Sequence, residues 1–180
     1  MSLADRTRAV LDERGVRYVL IGAMAIGVYG LLRSTKDTDF LTVDSTVLDE
    51  AVWTRPELRD ARVNVLRGDA FDPLAGTVRL VRGREQVDVV VGKWKWELAV
   101  IDRAQRFDVG HASMMVPRAA DLVLLKLSAG GPKDMWDIHG LFGHLDRETT
   151  MAEIDARMPE LPQYLREAWQ KLRPELAERT

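Results

Sequence analysis

Two aspartates stand two positions apart at Asp37 and Asp39, and a third, Asp88, lies inside the run Gln86-Val87-Asp88-Val89-Val90-Val91. On a strand, side chains at i and i+2 share a face, so Asp37 and Asp39 present two carboxylates side by side while Thr38 points away. Carboxylates forced together repel and perturb each other's proton affinity. A divalent cation relieves that repulsion, and oxygen-only ligands suit Mg²⁺ or Mn²⁺. Standing alone, an Asp-x-Asp pair more commonly marks a solvated sheet edge. Asp88 adds weight, because a charge among valines is costly unless it is paired, bound to metal, or set on a strand with one wet face.

Small and basic residues surround these carboxylates in the sequence. Gly22 and Ala23 follow the strand-like run Val16–Ile21 and open an apolar, small-residue stretch from Met24 to Leu32. Such a strand-to-helix turn lets a backbone approach phosphate and aims unpaired N–H groups at it; a tightly packed turn without ligand has the same composition. Arg33, Thr35 and Lys36 lie directly before Asp37. Their positive charge suits a triphosphate or, equally, a solvated loop.

The elements that must position these groups follow from periodicity and punctuation. Leu3–Arg14 is an amphipathic helix stopped by Gly15, Val16–Ile21 a strand, Met24–Leu32 a helix and Asp37–Val43 a second strand. Asp44-Ser45-Thr46 caps a predicted helix over Val47–Trp53. Arg62–Leu66 and Thr77–Val81 read as strands around a loop, and Arg82-Gly83-Arg84-Glu85 turns the chain into the Asp88 strand. Trp94–Arg103 is predicted helical, Phe107–Val116 a strand pair about Gly110, and Pro117 opens a helix over Arg118–Ala129. Gly130-Gly131-Pro132 ends it, Lys133–Phe142 forms the next, and Thr149–Glu178 supports two more, separated near Pro159 and Pro162.

The composition is that of one globular domain: 180 residues, 46% hydrophobic and 30% charged, with 26 basic against 28 acidic side chains. A net charge of -2 advertises no global attraction to nucleic acid or membrane. The absence of cysteine excludes disulfides and thiolate metal sites, and suits the cytoplasm. The apolar run Tyr18–Leu32 is too short for a bilayer span and is broken by glycines, so no membrane partner is expected. His111, His139 and His144 are too scattered for a metal site. Lys93-Trp94-Lys95-Trp96 interleaves base and aromatic as nucleic-acid platforms do, but tryptophans packing the following helix with lysines in water is the stronger reading.

Gly22-Ala23, thirteen further residues, Asp37-Thr38-Asp39 and a distal Asp88 together resemble the signature of the nucleotidyltransferase superfamily. Arg33-x-Thr35-x-Asp37-x-Asp39, Leu125-Lys126-Leu127 and Gly131-Pro132-Lys133-Asp134 are similar to its minimal bacterial branch, which includes AbiEii-like toxin nucleotidyltransferases. The resemblance spans Tyr18 to Leu141. It implies an α/β core with a mixed β-sheet and flanking helices, which we assign to residues 1–117; the terminal helices lie outside the resemblance, and we assign 118–180 to a helical C-terminal region packed on the core as a single structural unit. It also implies that Asp37 and Asp39 hold Mg²⁺ or Mn²⁺ ions bridging a nucleoside triphosphate, with Asp88 completing the metal site and orienting or deprotonating the attacking group. Gly22 and Ala23 would cradle the phosphates and Lys126 would neutralise them, helped by Arg33, Lys36 and, in second rank, Lys133. Asp134 fits equally as a helix cap and ion-pair partner.

The expected activity is transfer of a nucleoside monophosphate from NTP to a hydroxyl or phosphate on RNA, protein or a small molecule, possible within a toxin paired to an antitoxin. Two departures bear on it: Ala23 stands where the pattern has serine, and Thr38 where it has an apolar residue. The missing hydroxyl removes one hydrogen bond to phosphate, about 1 kcal/mol. That motivates an alternative reading as a nucleotide-binding or protein-interaction module without turnover. Modification of an antibiotic is a further alternative, marked by a concave small-molecule pocket beside the carboxylates instead of an open basic groove.

Overall fold

The computed structural model describes residues 1–32, 35 and 37–178. Helix α1 (Leu3–Glu13) begins at a capping box, in which Ser2 Oγ accepts from the Asp5 amide and the Asp5 carboxylate accepts from the Ser2 amide. Strand β1 (Tyr18–Ile21) runs straight into the short helix α2 (Gly22–Gly27). Helix was expected from Met24 to Leu32; it starts two residues sooner and stops at Gly27, where a second glycine, Gly30, takes the left-handed conformation at φ 96°.

Strands β2 (Asp37–Thr42), β3 (Arg62–Arg67), β4 (Gly76–Arg82) and β5 (Glu85–Val91) complete a five-stranded sheet in the order β1-β2-β5-β4-β3. The β2–β5 pair is parallel and the other pairs are antiparallel, so the sheet is mixed. Between β2 and β3 the helix predicted over Val47–Trp53 is replaced by 3₁₀ turns at Ser45–Leu48 and Glu50–Trp53. Asp49 explains the break: its carboxylate accepts from the Ala51 amide at 3.0 Å, starting a new turn where an α-helix would have continued.

Alternation divides the sheet into two faces. Tyr18, Leu20, Phe40, Val78, Leu80, Val87, Val89 and Val91 belong to the face covered by α1, where the Tyr18 hydroxyl donates to Asp12 and accepts from Arg8. The opposite face carries Asp37, Asp39, Gln86, Asp88 and Arg79.

After β5 come α3 (Lys95–Asp102), the hairpin β6 (Gln105–Val109) and β7 (Ala112–Val116), and then helices α4 (Ala119–Ala129), α5 (Pro132–Phe142), α6 (Arg147–Arg157) and α7 (Gln163–Glu178). Helix α4 packs against α5, α6 and α7, and one apolar core runs from Leu3 to Leu176, including Phe40 of the sheet and Trp169 of α7. Asp121 of α4 is wholly buried where these parts meet. Arg103, just after α3, reaches it at 2.9 Å and Arg157 of α6 at 3.0 Å, while Glu160 and Glu153 hold the outer edges of the two guanidinium groups. No helix among the described residues is long and apolar enough to cross a membrane.

Asp121→Ala would strand Arg157, itself almost fully buried, without its interior counter-charge. The expected cost is about 3–5 kcal/mol, read as a lower urea midpoint with an unchanged slope.

Candidate active site

Parallel pairing of β2 with β5 sets Asp39 directly beside Asp88, and Asp37 beside Gln86. Antiparallel pairing on either side brings Ile21 next to Asp39 and Arg79 next to Asp88. One row across the open face therefore reads Ile21, Asp39, Asp88, Arg79, Asn64. Thr38 points to the other side, where its hydroxyl lies 3.5 Å from the Met24 sulfur, as the two-residue period predicts.

Gly22 is fitted to this row. Its φ of 70° lies in the left-handed region, and a Cβ built on it would fall 2.0 Å from Asp39 Oδ2. The glycine thus makes room for the Asp39 carboxylate, a role not foreseen beside its proposed contact with phosphate. Helix α2 begins at Ile21 with no side-chain cap from that residue.

Asp88 has one wet face, and its carboxylate is engaged there. Arg79 Nε donates to Oδ1 at 2.8 Å and Arg79 Nη2 to Oδ2 at 2.9 Å, a two-pronged pair, while Gln86 Nε2 donates to Oδ2 at 3.0 Å. The Asp88 hydrogen bonds and charge, with Asp37 and Asp39 adding at longer range, hold the Arg79 guanidinium above its ordinary proton affinity. The expected metal set of Asp37, Asp39 and Asp88 is therefore only partly assembled. The three carboxylates share a face, yet among the described residues no three His, Cys, Asp or Glu side chains are grouped closely enough to hold an ion. The Asp88 carboxylate is turned to Arg79 and Gln86. Sequence reading passed over both partners, although the hairpin turn at Gly83-Arg84 fixes the pairing of Arg79 with Asp88.

Of the other predicted site residues, Arg33 and Lys36 lie outside the described residues. Lys126 is engaged elsewhere: its Nζ is 2.8 Å from Asp134 Oδ1 and 2.8 Å from the fully buried Asp137 Oδ2. Burial lowers its proton affinity, but the two carboxylates outweigh burial and the net shift is upward. In this arrangement Lys126 braces α4 against α5 through Asp134 and Asp137. Asp134 also accepts from the Gly131 amide at the start of α5, the capping alternative weighed for it, and Lys133 is exposed on the same turn. The Lys93–Trp96 segment is likewise committed. Trp96 is buried, the Trp94 indole donates to Pro73 O at 2.9 Å, and Lys93 Nζ donates to Asp69 O and Ala70 O, fastening the β3–β4 loop.

No protein-family model matches the chain, and no curated protein does. Solved structures do. The antibiotic-resistance factor ANT(2'')-Ia in solution superposes with a TM-score of 0.57 at 15% identity, covering 97% of this chain and 93% of its own. Its crystal form in complex with adenylyl-2''-tobramycin gives 0.53 at 15% identity over 94% and 95%. An antigenic nucleotidyltransferase-like protein from Paracoccidioides brasiliensis gives 0.50 at 18% identity over 93% and 85%. The chain has a nucleotidyltransferase fold. Within that fold, the β2–β5 register sets Asp39 beside Asp88 with Asp37 on the same face.

Two substitutions test these assignments. Gly22→Ala forces a Cβ onto Asp39 and strains the backbone, so it should impair nucleotide binding by about tenfold or more while the protein stays folded, as judged by calorimetry and circular dichroism. Lys126→Met removes the cation that pairs with Asp134 and Asp137 and should lower stability at neutral pH by about 1–3 kcal/mol. Because the folded-state proton affinity of Lys126 is raised, its contribution is complete below pH 10.5 and is lost as pH rises through the folded value. The stability gap between the two proteins should close only in alkali.

Proposed function

We propose that the chain is a metal-dependent nucleotidyltransferase that moves a nucleoside monophosphate from an NTP to an acceptor hydroxyl or phosphate. The observation that carries this reading is the register that sets Asp39 beside Asp88, with Asp37 on the same face and the Gly22 turn against Asp39. The donor set fits a hard divalent cation, being all oxygen and open to solvent at Asp37. Asp37 and Asp39 would hold Mg²⁺ or Mn²⁺, and Asp88 would join them once it is released from Arg79. When bound, the ion neutralises the triphosphate and favours in-line displacement at phosphorus.

The protein's own groups would do the rest. The amides at Gly22 and Ala23 donate to phosphate oxygens. Asp88 orients the acceptor hydroxyl and takes its proton as the acceptor oxygen bonds to the α-phosphorus. The bond from that phosphorus to the bridging oxygen breaks, and pyrophosphate leaves.

The acceptor side is basic. A cleft of about 440 Å³ flanks the row beyond Arg79, lined by Arg62, Val63, Asn64, Arg79 and Val81 and bearing no carboxylate among these residues. Guanidinium groups favour a phosphate-bearing acceptor such as RNA over a polycationic small molecule, which supports RNA ahead of an antibiotic as the acceptor; a toxin paired to an antitoxin is one setting for that chemistry. Binding without turnover is the competing outcome.

Incubation with α-³²P-labelled NTPs, Mg²⁺ and an acceptor panel of RNA, protein and aminoglycosides should transfer label to RNA. EDTA or Asp37→Ala plus Asp39→Ala should reduce transfer by at least about a thousandfold, as expected when the charge-stabilising centre is lost. Label transfer that survives the double substitution would reject this site. Tight Mg²⁺-dependent NTP binding with no pyrophosphate release on any acceptor would favour the binding module.

A further inference from the structure

Arg79 is placed as few surface arginines are. Its backbone is fixed opposite Asp88 by the β4–β5 hairpin, so the guanidinium can leave the carboxylate only by side-chain rotation. The two partners differ in exposure: the Asp88 side chain is 16% exposed and that of Arg79 is 56% exposed. The carboxylate is seated and the cation sits on the wet side, free to swing outward into the cleft it shares with Arg62 and Asn64. A two-pronged guanidinium pair occupies one edge of a carboxylate with both oxygens engaged, and Gln86 takes a further lone pair on Oδ2. Asp88 is thereby held in place and its charge is balanced, which is what a metal ion would otherwise do for it.

We propose that Arg79 is a stand-in cation that occupies Asp88 in the absence of a divalent ion and makes metal loading depend on nucleotide. Free metal must compete with the guanidinium for Asp88. Metal arriving with a triphosphate brings a second anion for Arg79, so the guanidinium passes from carboxylate to phosphate and the competition ends. The consequence is regulatory: the ion and the NTP bind cooperatively, and neither fills the site well alone. The inference rests on the nucleotidyl-transfer reading to the extent that this reading makes Asp88 a metal ligand.

Loss of the free Mn²⁺ electron paramagnetic resonance signal measures binding directly, with and without the non-hydrolysable analogue α,β-methylene ATP. Wild type should bind Mn²⁺ weakly alone and about tenfold or more tightly with the analogue. Arg79→Met should bind Mn²⁺ alone about tenfold more tightly than wild type and lose most of the gain from the analogue. Arg79→Lys, which keeps the charge but not the fork, should fall between them. If Arg79→Met binds Mn²⁺ no more tightly than wild type, while Asp37→Asn plus Asp39→Asn abolishes binding, the stand-in role is overturned and the metal site stands. If Mn²⁺ binding ignores the Asp37 and Asp39 substitutions, the metal-site reading falls, and the stand-in role with it.

Discussion

Like charges do not share a row of a β-sheet without something to hold them there. The parallel pairing of β2 with β5 forces Asp39 and Asp88 into adjacent positions with Asp37 on the same face, and backbone hydrogen bonding, not attraction between the side chains, imposes that closeness. The remainder of the local structure answers this constraint. Gly22 gives up a side chain so that the Asp39 carboxylate has room, Arg79 grips both oxygens of Asp88 from the neighbouring strand, and Gln86 also donates to Oδ2. A protein that needed only a stable sheet would fill these positions with threonine or valine, as it does on the reverse face with Val87, Val89 and Val91.

The scaffold that holds this row sets other charges against counter-charges in its interior. Asp121 between Arg103 and Arg157, and Asp137 beside Lys126, are interior ion pairs that fix α3, α4, α5 and α6 relative to one another. Buried pairs of this kind contribute little net stability, but they penalise any alternative packing that separates their members. The open face differs in kind. Asp37 is exposed and Asp88 mostly covered, but the guanidinium that balances Asp88 is 56% exposed, the condition under which a charge can be exchanged for another.

Much of this was legible in the sequence because it depends on short-range rules. The Asp37–Thr38–Asp39 alternation, the hairpin at Gly83-Arg84 and the helix break at Gly130-Gly131-Pro132 appear where periodicity and turn chemistry put them. Asp49, read as part of a helix, instead caps a fresh turn, because a side chain that competes for backbone amides outweighs modest helix propensity. The partners of Lys126 were not legible: Asp134 and Asp137 lie one helix away, and only the α4–α5 packing shows that they converge on it. Arg79 was within reach of the sequence, since counting back from the turn pairs it with Asp88. What the sequence lacked was a reason to look for a cation where a metal was expected.

The account stands on whether Asp37 and Asp39 grip a divalent ion together with a nucleotide. A crystal grown with Mn²⁺ and a non-hydrolysable NTP analogue, with anomalous scattering recorded for manganese, decides it. The predicted result is a manganese peak in contact with carboxylate oxygens of both Asp37 and Asp39 and with the triphosphate. Manganese and nucleotide bound elsewhere, with these two side chains bare, would contradict it.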